Sequence, residues 1–137
     1  MSAVDEKPAP LELAQVEAFV GNAHGDLAEV ERLLDLEPAL ANAAWDWGGG
    51  DWETGLGAAA HMGRRDIAEL LLARGARMDV FAAAMLGEVE IVRALLDAYP
   101  EVVAAKGPHG IPVRVHAEKG GAQAAAVLAL LDERAFR

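Results

Sequence analysis

Hydrophobic positions follow a repeating helical order along this chain. Residues 25–38 (GDLAEVERLLDLEP) recur 62 positions later as residues 87–100 (GEVEIVRALLDAYP), with six of fourteen positions identical and no gap. A third copy opens at Gly63 and runs through Ile67, Ala68, Glu69, Leu70, Leu71 and Leu72. A fourth, blurred by alanine, runs from Gly120 or Gly121 to Leu130, Leu131 and Asp132. The apolar residues four or five and eight or nine positions past each glycine form one stripe, as in an amphipathic helix. Asp26 with Glu29, and Asp66 with Glu69, have capping-box spacing. Pro38 and Pro100 stop two of these helices, and Gly75 sits where a helix C-terminal glycine belongs. Before each glycine lies a shorter apolar segment, at residues 16–24, 56–62, 80–86 and 113–119. The pattern predicts a short helix, a glycine turn and a longer helix, four times over. Ile111, Val113 and Val115 alternate as a strand would, but their place in the repeat predicts helix.

Composition supports helices. Thirty alanines and seventeen leucines stand against seven aromatics in 137 residues, which favours helix over sheet. With 53% hydrophobic and 25% charged residues, the chain has the makeup of one globular domain. Cysteine is absent, which excludes disulfides and thiolate metal sites. No apolar run reaches the ~18 residues of a membrane helix, and no secretory signal opens the chain, so the expected setting is cytoplasmic and away from membranes. Ser2, Thr54 and Tyr99 are single residues of their kinds, so covalent catalysis has few candidate nucleophiles. The net charge of −10 arises entirely within residues 1–53, which hold twelve acids against Lys7 and Arg32. That end repels phosphates and argues against a nucleic-acid partner. Arg64, Arg65, Arg74 and Arg77 read as ordinary surface charge.

Residues 54–63 read TGLGAAAHMG, residues 111–120 read IPVRVHAEKG, and residues 70–76 read LLLARGA. Together with the repeat these segments resemble the ankyrin-repeat family. The resemblance implies an all-α solenoid of about four helix-turn-helix repeats, at about 11–44, 45–77, 78–105 and 106–137, after a flexible tail at 1–10. The departures are local. Successive repeat glycines are spaced 38, 24 and 33 residues apart. The excess at the first junction lies in residues 45–53, an elongated Trp-rich finger between repeats 1 and 2. The second junction, residues 75–79, is short enough to lack a finger. Gly55 and Gly57 replace the proline and histidine of the family motif.

The resemblance also implies a concave groove lined by the residue pairs before each glycine and by the fingers. Carried over, those residues are His24, His61, Met62, Met85, Leu86, Glu118 and Lys119, with Trp45, Trp47, Trp52, Glu53 and His109 from the fingers. All three tryptophans and three of the four histidines map to this face, while His116 maps to a buried position. An apolar face carrying Trp is a recognition surface, and the family's members are mostly binding modules. The expected function is therefore non-covalent binding of a protein or peptide partner through the groove. The alternative is a small-molecule site, or a small acid–base enzyme of rearrangement or cyclisation type, beneath the Trp-rich loop. There His61 is the base and Glu53 or Asp46 its partner. The tryptophans could instead fold back to fill the gap left by the missing finger. No cofactor is expected. No metal site is expected either, because Asp46, Asp51 and Glu53 miss the calcium-loop spacing and no two histidines stand at i, i+4. Gly48, Gly49 and Gly50 lack the lysine of a phosphate loop and read as the turn of the finger.

Overall fold

The computed structural model describes residues 7–135. Of the expected tail, residues 1–6 lie outside the described residues, and residues 7–10 are exposed without regular structure. The helices are α1 (Leu13–Asn22), α2 (Leu27–Leu36), α3 (Gly55–His61), α4 (Arg65–Ala73), α5 (Val80–Leu86), α6 (Val89–Ala98), α7 (Val113–Lys119) and α8 (Ala125–Ala135). Between α2 and α3, strands β1 (Ala44–Asp46) and β2 (Trp52–Thr54) pair antiparallel, with Trp45 opposite Glu53.

Local chemistry explains most boundaries. Asp26, Thr54 and Asp79 accept the amides of Glu29, Gly57 and Ala82 at 3.0, 2.9 and 2.8 Å, capping α2, α3 and α5. Asp66 does not cap α4: it lies in the first turn and pairs with Arg64, 2.8 Å away. Pro38 and Pro100 each open a short 3-10 turn after α2 and α6. Gly87 ends α5 with φ +79°, and a Cβ there would sit 2.1 Å from the Gln123 carbonyl oxygen. That position needs glycine for its torsion and for its space.

Two apolar clusters hold the molecule. The first joins α1 to α4 around Phe19, Leu34, Leu40, Leu56, Ile67 and Leu71. The second joins α5 to α8 around Val92, Leu96, Val113, Val127 and Leu131. Each fully buried large side chain contributes roughly 1.5–3 kcal/mol. Ala58–Ala60 and Ala82–Ala84 are fully buried, so α3 and α5 meet their neighbours through short side chains.

The helical class holds, but the expectation of an all-α ankyrin solenoid is corrected. Residues 44–54 form a β-hairpin, so the described residues are not all helical. Nor is the architecture a regular stack of equal units. That hairpin is the only sheet longer than a single bridge among the described residues, residues 74–79 carry no strand, and residues 106–112 contribute one bridge, Lys106 to Pro112. Three tight glycines and Trp-rich flanks turn the chain back on itself at the first junction, whereas the second is too short to do so.

Candidate functional site

The hairpin is shaped by its tip. Gly48, Gly49 and Gly50 all have positive φ, and Asp46 Oδ1 accepts the amides of Gly48 and Gly50 at 2.9 and 3.0 Å. Asp46 is thereby occupied with the turn and does not partner His61. Strand alternation in β2 sends Trp52 outward, 61% exposed, and Glu53 inward, 1% exposed. A buried carboxylate is costly unless it is paired, and Glu53 is surrounded.

Its neighbours come from three other segments. His24 follows the C-terminus of α1, and its Nε2 lies 3.1 Å from Glu53 Oε1. His61 is the last residue of α3, with Nε2 2.9 Å from Glu53 Oε2. His109 sits in the 3-10 turn Pro108–Gly110, with Nε2 3.2 Å from the same Oε2. The Trp47 indole N–H donates to Glu53 Oε1 at 2.9 Å. The four ligand-type atoms of His24, Glu53, His61 and His109 all lie within 4.8 Å of one another.

Outer contacts fix the rings. His24 Nδ1 lies 3.0 Å from each of the Val20 and Gly21 carbonyl oxygens. Asp51 holds His109 twice, accepting its backbone N–H at 2.7 Å and meeting its Nδ1 at 2.7 Å. His109 has φ +61°, a left-handed conformation that few side chains adopt. The double grip of Asp51 maintains it. Gly57 makes room: a Cβ there would meet Pro108 Cγ at 3.3 Å and Glu53 Cγ at 3.7 Å. The glycine that departs from the repeat motif lets the loop carrying His109 and the Glu53 side chain close on α3.

The electrostatics follow from the geometry. Burial opposes ionisation of Glu53, but the imidazoles of His24 and His61, when protonated on Nε2, and the Trp47 indole outweigh it. They hold the carboxyl well below the usual range. Glu53 in turn raises the His24 pKa against the effect of burial. The His109 backbone N–H, then its ring, lower Asp51. His116 is fully buried against Phe81, its Nδ1 2.9 Å from the Pro112 carbonyl, and burial lowers its pKa.

The remaining candidate residues are placed elsewhere or differently. Trp47 edges His24 and His109 at ring distances of 6.2 and 6.3 Å. Trp45 is half-buried against the first core cluster. Met62 is 48% exposed. Met85 and Leu86 do not line a groove: both are buried with the first core cluster, because α5 is enclosed by its neighbours. Glu118 is exposed beside Arg114, and Lys119 is exposed with its carbonyl oxygen 2.9 Å from where a Gly63 Cβ would stand. Neither approaches Glu53. Asp51 is the residue that motif reasoning underrated, having weighed it only as a calcium-loop acid. A surface cavity of about 430 Å³, lined by Leu96, Pro100, Glu101, Val103, Arg134 and Ala135, shares no residue with the imidazole–carboxylate centre. No helix among the described residues is long and apolar enough to cross a membrane. No family model, curated protein or solved structure matches the chain, so its likeness to ankyrin repeats rests on the quoted motifs alone.

Proposed function

We propose that this protein works through a small-ligand site at the imidazole–carboxylate centre beneath the hairpin. One observation carries this reading: three imidazoles and an indole from separate segments converge on a single carboxylate that is 1% exposed. Perturbed, convergent titratable groups mark functional sites more often than structural ones. The partly exposed side chains of His24 and His109, 26% and 31%, give a small species access. The test is to label the histidine rings with 15N and follow their NMR signals against a panel of metal salts, amines, guanidinium and carboxylates. A member of the panel should move His24, His61 and His109 together, and Glu53→Gln should abolish that response. A panel that leaves all three signals unmoved overturns the reading.

A second reading keeps a protein or peptide partner. It is favoured by Trp52 and Met62, large apolar side chains that stand 61% and 48% exposed. Its test is whether Trp52→Ala abolishes binding of a captured partner while leaving the histidine response intact.

A further inference from the structure

Proton accounting at the centre exposes a conflict. His24 Nδ1 faces two carbonyl oxygens, which only accept, so that nitrogen carries the ring proton. His109 Nδ1 faces the Asp51 carboxylate and carries its proton for the same reason. In the neutral imidazoles the Nε2 atoms are then lone pairs. They lie 3.1 and 3.2 Å from oxygens of an ionised carboxylate, which are lone pairs too. At the third imidazole, His61 Nε2 and Glu53 Oε2 are 2.9 Å apart and buried, yet neither makes an aligned hydrogen bond. Oε2 thus has two imidazole nitrogens within 3.2 Å and no aligned donor. Positive charge in its midst removes the conflict. Extra protons on His24 and His109 would place two imidazolium rings at a centroid distance of 6.2 Å, repelling one another in a partly buried site. One divalent ion meets all four lone-pair groups at once.

We infer that the centre binds one divalent transition-metal ion, zinc or a first-row neighbour, through Nε2 of His24, His61 and His109 and the carboxylate of Glu53. This rests on the small-ligand reading above and names the ligand. Three imidazoles and one carboxylate suit zinc, cobalt, nickel or iron, whereas calcium and magnesium take oxygen. Metal–ligand bonds of ~2.1 Å place tetrahedral donors about 3.4 Å apart. The three nitrogen-to-oxygen separations, 2.9 to 3.2 Å, are already close to that edge length. The widest separation in the set, at most 4.8 Å, has to contract by at most about 1.4 Å. The outer contacts are those of a metal centre. The Nδ1–H of His24 is committed to backbone carbonyls and that of His109 to a carboxylate, which fixes tautomer and ring orientation and makes each Nε2 a better donor. Trp47 occupies Oε1 and leaves Oε2 for the ion.

The test uses the full-length protein, stripped with a chelator and titrated near neutral pH with Co²⁺, then Zn²⁺, with Ca²⁺ and Mg²⁺ as controls. The expected result is one Co²⁺ per chain with visible ligand-field absorption, bleached by one equivalent of Zn²⁺, and no response to the controls. Asp51→Asn, which alters only the outer contact to His109, should weaken zinc binding about 10–100-fold with an unchanged circular-dichroism spectrum. His61→Gln and His109→Gln should weaken it further. A folded wild type with a Kd for both ions weaker than about 1 mM overturns the assignment, as do unchanged affinities in His61→Gln and His109→Gln. If no transition-metal ion binds but an amine, guanidinium or carboxylate of the NMR panel moves the three imidazole signals, the metal assignment falls and the small-ligand site stands. If nothing moves them, both fall.

Discussion

Adding zinc to the stripped protein should stabilise the whole fold, and the structure sets the size of the effect. The ligands lie at positions 24, 53, 61 and 109, so successive members are 29, 8 and 48 positions apart. An unfolded chain must close all three loops at once to present them, an entropic cost that denies it a comparable site. An ion that binds only the folded state stabilises it by RT ln(1 + [L]/Kd), about 2.7 kcal/mol at a hundredfold excess over Kd. Unfolding entropy of about 2.1 cal/mol/K per residue over 137 residues is about 0.29 kcal/mol/K, so Tm should rise by about 9 °C. The assay is a thermal melt followed by circular dichroism, with zinc held for every variant at a hundred times the wild-type Kd. Wild type should show the full shift, and His61→Gln none at the wild-type zinc concentration. A wild-type shift below about 2 °C despite measured 1:1 binding refutes the reasoning. It would mean that the unfolded chain holds the ion nearly as well, and that convergence of four segments is not what binds it.

Further outcomes follow from the same geometry. Gly120→Ala puts a Cβ 2.1 Å from the Met85 carbonyl oxygen and 2.6 Å from Ala124 Cβ. It should destabilise by about 1–3 kcal/mol in urea melts, since α5 and α7 must part. Leu71→Ala empties a fully buried site and should cost about 2–5 kcal/mol. Trp52→Ala should change stability by less than about 0.5 kcal/mol and remove a red-shifted component of the emission spectrum, because that indole is largely solvated. In the metal-free protein the raised pKa of His24 contributes stability that is fully present below the unfolded value of about 6.5 and lost as pH rises through the folded value. The Tm gap between wild type and His24→Gln should therefore widen from pH 8 to pH 6 without metal. Zinc affinity should fall over the same window, because protons compete for the ring nitrogens. A gap that narrows on acidification contradicts the sign.

The helices were legible because their signals are local. The apolar segments at residues 80–86 and 113–119 coincide with α5 and α7, and the glycine-led copies contain α2, α4 and α6. The hairpin was not legible as strands. β1 and β2 have three residues each, too few to show alternation, and three glycines separate their flanks. The repeat motif carried the inference too far, from helix pairs to a complete solenoid, and it placed Met85 and Leu86 on an open groove that α5 does not present. His24, His61, His109 and Glu53 all stood among the candidates, and three of the four histidines mapped to one face. Their convergence was hidden because spacing rules for metal sites look within one helix or loop, while these four come from the end of α1, β2, the end of α3 and the loop before α7. Asp51 was hidden for the same reason: its partner is 58 positions away.

The glycine tip of the hairpin also divides the molecule usefully. At Gly48, Gly49 and Gly50 no atom lies within 4 Å of where a side chain would project, so a cut there severs no packing. A fragment ending at residue 48 carries His24 and Trp47, while the complementary fragment carries Glu53, His61 and His109. The strand pairs Ala44–Thr54, Trp45–Glu53 and Asp46–Trp52 straddle the cut. Two such halves would have their natural reassembly signal at the point of division, and a single ion bridging His24 to the other three ligands would turn the pair into a metal-gated switch for fragment complementation.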